Sequence, residues 1–388
     1  MKKMAVIGGG PGGLYAAKEA AALGLSVTVF EKSKIGDNFF CAEGFVDILK
    51  LLGQPAAGVC FPINEILITV VDSFRVDSSR LNLWMIDRKT WQQSLAEEAA
   101  AAGCEILENR KISPAELPSL MREYDWVIDA SGVNAVSATA FKLPKIRTAA
   151  TAQYTLEGDF SRYLGKLKVT LSPDYCGYSW IFPKSERVAN VGVGSFGKKR
   201  KNVRIKAELD KFLQNERLAN FKVLKKTGGP IPIARRQELI IGNLMLVGDA
   251  AGFVSPLHGG GIDTACISGI LAARAAAADN PAAYRENSVK ILETRLQLEQ
   301  KVLDLWEATS LEKLNDYAAS AFADEEQKAK RPLWRKIFVP EAVLLKSVLG
   351  GRLRADWERG LILDDLPLTA RIIIKEVLNN LKAAKSHT

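Results

Sequence analysis

Gly8-Gly9-Gly10-Pro11-Gly12-Gly13 decides how this chain folds. The six residues contain a GxGxxG pattern and follow Ala5-Val6-Ile7, which reads as a short buried strand. Beyond them Leu14 to Leu23 is alanine-rich and reads as a helix, and Val27-Thr28-Val29-Phe30 reads as a second strand. In that strand–turn–helix setting Gly8 permits the tight turn, Gly10 lets a pyrophosphate approach the backbone, and Gly13 lets helix and strand pack closely. With Pro11 and Gly12, the helix N-terminus offers phosphate unpaired N–H groups and a favourable dipole. Glu31 closes the second strand, where an acid accepts ribose hydroxyls, and Lys32 follows it. A carboxylate there repels a 2′-phosphate, so this slot selects against NADPH.

The pattern alone is weak evidence, since Gly192-Val193-Gly194-Ser195-Phe196-Gly197 fits it too. Those glycines sit in a stretch of strand character, Lys198-Lys199-Arg200-Lys201 follows, and no acid ends a second strand. They read as small residues in a sheet. What lifts the first copy is Leu246-Val247-Gly248-Asp249-Ala250-Ala251-Gly252-Phe253. A strand ending in Gly248-Asp249 can aim a carboxylate at the ribityl hydroxyls of FAD. In Pro256-Leu257-His258-Gly259-Gly260-Gly261-Ile262, the segment Gly259, Gly260, Gly261 and Ile262 would let a flavin edge approach bare N–H groups. A helix starting there stabilises negative charge on the reduced flavin. Together, in this order, the two elements predict one FAD.

Outward from these motifs the chain reads as α/β: a Rossmann-type FAD-binding domain, an inserted antiparallel-sheet substrate domain and C-terminal helices. The FAD-binding domain is discontinuous, over 1–55, 84–138 and 238–280, the substrate domain takes 56–83 and 139–237, and 281–388 is mostly helical. Lys166–Leu171 and Arg187–Val193 alternate as antiparallel strands do. The 388 residues suit two joined domains. No apolar run approaches the ~18 residues a spanning helix needs, and the N-terminal run is too short for a signal peptide. The expectation is a cytoplasmic protein, with peripheral contact at the inner face of the membrane as an option.

Cys41, Cys60, Cys104, Cys176 and Cys266 show neither disulfide nor zinc spacing, and the two histidines, His258 and His387, exclude a multi-histidine metal site. No metal is expected. The net charge of +9 suits a membrane surface, an acidic electron carrier or nucleic acid, or simply a solubilising surface. No motif supports nucleic acid. Lys328–Arg354 mixes cations with Trp334, Phe338 and aliphatic residues, as an interfacial helix or a packed helix with a basic outer face would.

On these residues the chain resembles flavoproteins of the p-hydroxybenzoate hydroxylase fold, and within them the geranylgeranyl reductase family, over roughly 1–280. Tyr178-Ser179-Trp180-Ile181-Phe182-Pro183-Lys184 fits the family's YxWxFP strand, and Cys41-Ala42-Glu43-Gly44 its Cys-x-x-Gly segment. Ile86-Asp87-Arg88 resembles the family's flavin-contacting arginine. The resemblance implies FAD-dependent reduction of isolated C=C bonds in isoprenoid chains on lipid or quinone-like substrates. One departure stands out: Asp129-Ala130-Ser131-Gly132-Val133-Asn134 replaces the hydroxylases' Asp-Gly segment and has no Arg nearby. Direct use of NADPH is therefore not expected to be fast, and the external reductant is a ferredoxin-like carrier or NAD(P)H.

The candidate catalytic residues are Cys41, Glu43, Tyr178 and His258, and Trp180 and Phe182 are candidates for substrate contact. Alternation puts Tyr178, Trp180 and Phe182 on one strand face, as ordinary core or, with the family match, as the wall of a lipid-sized cavity. Cys41 reads as a small buried hydrophobe or a contact to flavin or substrate. Glu43 reads as a buried acid or a solvated loop residue, and His258 as a proton donor or a loop element. A flavin monooxygenase or halogenase is the second reading, and a non-catalytic electron carrier or redox sensor the third.

Overall fold

The computed structural model describes residues 1–79, 81–197 and 203–322. The Lys198–Lys201 run and the Lys328–Arg354 segment lie outside the described residues. β1 (Lys3–Ile7) enters the glycine turn and α1 (Pro11–Ala22), whose first residue is proline, where an N–H would have no helical partner anyway. Then come β2 (Ser26–Phe30), β3 (Gly44–Asp47), β4 (Val59–Pro62), β5 (Glu65–Thr69), β6 (Ser73–Asp77) and β7 (Asn82–Ile86). α2 (Arg88–Ala101) is capped by Asp87, whose carboxylate accepts the N–H of Thr90 at 2.8 Å. β8 (Glu105–Leu107), α3 (Leu117–Glu123), β9 (Trp126–Asp129) and α4 (Val136–Ala140) follow. The middle of the chain is β10 (Thr148–Glu157), β11 (Lys166–Leu171), β12 (Gly177–Pro183), β13 (Val188–Ser195), α5 (Ile205–Asn215) and β14 (Lys222–Pro232). β15 (Ile240–Ile241), β16 (Leu244–Leu246), α6 (Gly248–Ala251) and α7 (Ile262–Ala277) come next. The described chain ends on α8 (Pro281–Ser288), a π turn over Val289–Glu293, α9 (Thr294–Ala308) and α10 (Leu311–Phe322).

The first sheet has the order β15-β16-β9-β1-β2-β8 and is parallel except at the β15 edge. Covered on both sides, its strands are continuous apolar runs: Val6, Val127 and Leu246 are fully buried. α1 and α7 touch backbone to backbone, since a Cβ at Gly269 would lie 2.2 Å from the carbonyl oxygen of Gly12. That contact joins residues 12 and 269 and fixes the two glycine-rich loops side by side.

The second sheet has the order β14-β10-β13-β12-β11-β5-β6. Its pairings are antiparallel with one departure from the sequence reading: β5 runs parallel to β11. The N–H of Asn64 donates to the carbonyl of Gly165 at 3.0 Å, which starts the two strands from the same end. The second GxGxxG copy lies in β13 and at its exit. A Cβ at Gly192 would meet the Trp180 ring at 2.3 Å, so that glycine seats an indole and no phosphate. The third sheet, β3-β7-β4, stacks Phe45 against Trp84 and Trp91 at 5.8 and 5.4 Å between ring centres. This packing brings residues 41–44 against the start of α2. No helix among the described residues is long and apolar enough to cross a membrane.

Candidate active site

A cavity of about 990 Å³ lies between the first two sheets, at the upper end of the range for small-molecule sites. Both glycine loops open onto it. Gly10 and Gly261 are the N-cap residues of α1 and α7 and offer no side chain as a cap, so both N-termini present free N–H groups to the cavity. Gly8 stands at φ +105°, and a Cβ there would lie 2.4 Å from the Ala130 carbonyl oxygen. At Gly10 a Cβ would meet no protein atom within 4 Å, the mark of a position kept bare for a ligand. Gly13 is the one predicted cofactor residue that does not line the cavity; its Cβ would sit 2.0 Å from the Gly8 carbonyl oxygen, so its task is packing.

Glu31 faces the cavity with Oε2 on the Gly9 N–H at 2.8 Å and Oε1 on the Ser33 N–H at 2.9 Å. Exposed Lys32 lies at the same rim. Arg88 starts α2 and its Nε donates to Gln92 Oε1 at 3.3 Å, while Gln92 Nε2 donates to the Gly9 carbonyl at 2.7 Å. The arginine is thereby tied to the phosphate turn. Burial pushes the Asp249 carboxyl up to about 6, with Arg88 pulling the other way. Gly248, Gly259, Gly260 and Ile262 complete this wall. A bare glycine turn, two uncapped helix ends, a cavity-facing acid and a half-buried Asp249 suit FAD, whose pyrophosphate would meet α1 and whose flavin would meet α7.

Residues 41–44 pass between the sheets. Glu43 adopts φ +67°, in the left-handed region, and is 4% exposed. Its Oε1 accepts from the Arg88 N–H at 3.0 Å and Lys184 Nζ at 2.9 Å; its Oε2 accepts from Lys184 at 2.8 Å and Asn190 Nδ2 at 2.8 Å. Burial pulls Lys184 down, but the Glu43 and Asp87 carboxylates outweigh it and hold the ammonium above its usual value. Both Glu43 oxygens are engaged within the protein. Cys41 lines the cavity with its Sγ accepting the Glu43 N–H at 3.2 Å and its carbonyl accepting Gln153 Nε2 at 3.1 Å.

Tyr178, Trp180 and Phe182 all line the cavity from β12. Tyr178 stacks on Phe196 at 5.2 Å and donates its hydroxyl to the His258 carbonyl at 2.7 Å; burial raises its pKa, so the hydroxyl stays protonated. Trp180 donates Nε1–H to Gln153 Oε1 at 3.2 Å. His258 Nδ1 accepts the Gly260 N–H at 3.2 Å, which leaves the proton of the neutral ring on Nε2, 3.9 Å from Glu299 Oε1. Behind it Arg295 donates Nε–H to Glu299 at 2.9 Å and Nη1–H to Asp263 at 2.7 Å, with all three side chains buried. Burial lowers the His258 pKa, Arg295 adds to the effect, and Glu299 and Asp263 oppose it.

Residues 151–231 match the geranylgeranyl reductase catalytic domain family, and residues 3–59 match an FAD binding domain family. A digeranylgeranylglycerophospholipid reductase 2 of Methanococcoides burtonii is 31% identical over 344 residues, covering 80% of this chain and 81% of that protein. The chain belongs to the geranylgeranyl reductase family. It is an FAD-dependent oxidoreductase. A digeranylgeranylglycerophospholipid reductase of Methanosphaerula palustris is 35% identical over 304 residues, 70% of this chain and 75% of that protein. The crystal structure of a geranylgeranyl bacteriochlorophyll reductase-like protein from Thermoplasma acidophilum shares the fold. Its TM-score is 0.70 at 21% identity, over 93% of this chain and 99% of that one.

Several polar residues of this reductase's site were not singled out by the sequence: Lys184, Asn190, Gln153, Gln92, Glu299 and Arg295. Lys184 closes the YxWxFP segment and Asn190 stands in an otherwise apolar strand, which were the available signals; the other four carry none. Arg236 is brought toward Asp129 by the fold, yet its guanidinium donates to the carbonyls of Ala250 and Pro144 at 2.9 Å each. It does not line the cavity.

Proposed function

We propose that the enzyme saturates C=C bonds in geranylgeranyl-type chains of a lipid. The observation that carries this is the continuity of one cavity from two uncapped helix N-termini, past the Tyr178-Trp180-Phe182 wall, to a predominantly apolar end. A trisubstituted alkene has no carbonyl to polarise, so it needs a hydride at one carbon and a proton at the other. Reduced FAD, when bound, supplies the hydride. The chain's own residues bind and orient the alkene, exclude water and deliver the proton.

Glu43 holds the 41–44 segment, and Tyr178 ties β12 to the flavin-facing loop through its committed hydroxyl. Both are positioning residues in this reading. Of the four candidate catalytic residues, Cys41 Sγ–H and His258 Nε2–H remain as proton donors, with Glu299 and Arg295 behind the imidazole. In the proton step the N–H or S–H bond breaks, the π pair forms the new C–H bond, and solvent returns the proton to the donor. A carrier protein that meets a basic surface suits the reductant better than NADPH, since Arg236 is spent on carbonyls.

The test is anaerobic incubation of the dithionite-reduced holoenzyme with a geranylgeranyl lipid, followed by mass spectrometry. Products heavier by pairs of hydrogens are expected. Oxygen-dependent incorporation of an oxygen atom would replace this reading with a monooxygenase.

A further inference from the structure

The floor of the cavity is the second sheet, and lining side chains come from strands across its width. Five inter-strand steps separate β10 from β6, so at about 4.8 Å per step the floor spans roughly 24 Å. Its character changes along that path. At β10 and β14 it carries Thr151, Gln153 and Thr227; beyond β12 it is Val169, Leu171, Ile68, Val70 and Val76. A chain lying across the strands has its polar or reacting part at the flavin end and a floor of aliphatic side chains at the other.

α10 covers that end and adds Tyr317 to its lining. Leu314, Ala318 and Phe322 line the cavity at i, i+4 and i+8, a single ridge along the helix. Ala318 is 3% exposed and packs with Val70 and Phe74 of the β5–β6 hairpin. Apolar packing by itself would let the helix slide, but Asn315 fixes its register. The buried Asn315 amide accepts the Val71 and Asp72 N–H groups at 3.2 and 2.9 Å and donates to the Asp72 carboxylate at 2.8 Å. These bonds clamp the helix to the tip of the hairpin.

We infer that α10 is the end wall of the prenyl channel and that Leu314 and Ala318 set the longest chain the enzyme can seat. This rests on the prenyl reading above. A small residue at 318 leaves room where a larger one would cut the channel short. A larger one at 314 closes it where a smaller one would lengthen it. Length selectivity therefore follows the volumes at these two positions, while flavin binding does not depend on them.

Wild type, Ala318→Phe and Leu314→Ala holoenzymes are compared on a ladder of farnesyl, geranylgeranyl and geranylfarnesyl substrates, after measurement of FAD content and melting temperature. For Ala318→Phe, kcat/KM on the geranylgeranyl chain should fall by about tenfold or more relative to farnesyl, the discrimination a few methylenes command. Leu314→Ala should shift the profile the opposite way, toward geranylfarnesyl. If Ala318→Phe fails to fold, the Leu314→Ala shift decides alone. Unmoved profiles, or uniform losses at every length with FAD content intact, would overturn the end-wall inference while the prenyl reading stands. A wild type inert on every rung refutes the prenyl reading and this one with it.

Discussion

Replacing Gly10 by Val separates what the phosphate turn needs for folding from what it needs for the cofactor. The backbone there is at φ −75°, ψ 177°, comfortable for a β-branched residue, and a Cβ would meet no protein atom within 4 Å. Exchanging glycine for valine at a helix N-cap costs about 1 kcal/mol, so the apoprotein should melt within a few degrees of wild type. The same methyl groups occupy the space in front of α1, where the pyrophosphate would accept charge-assisted hydrogen bonds. Losing two of these at roughly 1.5–3 kcal/mol each weakens FAD by a hundred- to ten-thousand-fold. Gly13→Ala should do the reverse: its Cβ would lie 2.0 Å from the Gly8 carbonyl oxygen, so the turn itself would have to move and the apoprotein would lose stability. Titration of the two apoproteins with FAD, followed by flavin fluorescence, and their melting curves give both quantities. A Gly10→Val protein that binds FAD within tenfold of wild type would refute the placement of the pyrophosphate.

Lys184→Met leaves buried Glu43 without its cation and should cost on the order of 2–3 kcal/mol in urea unfolding, below the usual figure for a fully buried pair because Lys184 is 21% exposed. An unchanged midpoint would contradict the bracing role. Cys41→Ala and His258→Asn should leave dithionite reduction of the flavin intact and slow reoxidation by a prenyl substrate, by a hundredfold or more for whichever of the two gives the proton. Glu43→Gln and Tyr178→Phe should each slow it by less than tenfold, and stopped-flow reoxidation at wild-type rates in both first variants would remove Cys41 and His258 as donors. The Asp249 carboxyl, raised by burial from 3.8 to about 6, makes the folded apoprotein bind more protons than the unfolded chain between those values. Apoprotein stability should then fall as pH rises through that window and stop falling above it, and Asp249→Asn should flatten the slope. Urea midpoints across pH that slope equally in both proteins would exclude Asp249 as the source.

What the sequence displayed was local geometry. The glycine turn, the flanking strands and the alternation of Tyr178, Trp180 and Phe182 each follow from a few consecutive residues, and each is where the reading put it. So is the strand setting of Gly192 and Gly194, which context distinguished from a phosphate loop. Pairings across the chain were hidden because no local period encodes them. Glu43 meets Lys184 and Asn190 across 141 and 147 residues, so the sequence left it between a buried acid and a solvated loop residue. His258 was visible beside its glycines, whereas Glu299 and Arg295 come from a helix of ordinary amphipathic composition. The parallel β5–β11 pairing was equally hidden, since alternation shows that a strand has two faces and says nothing about its neighbour's direction.

The backbone contact between Gly12 of α1 and Gly269 of α7 also bears on the order of events during synthesis. A nascent chain that has emerged through β9 already holds the phosphate turn, but lacks Asp249, the second helix N-terminus and the helix that covers α1. Its first sheet ends at β9 with an open edge until β16 arrives from more than a hundred residues downstream. Such long-range closure is slow compared with local helix formation. Flavin capture is therefore a late event that follows the docking of α7. A chain cut after Val247 should bind no FAD, however well its N-terminal strands pair.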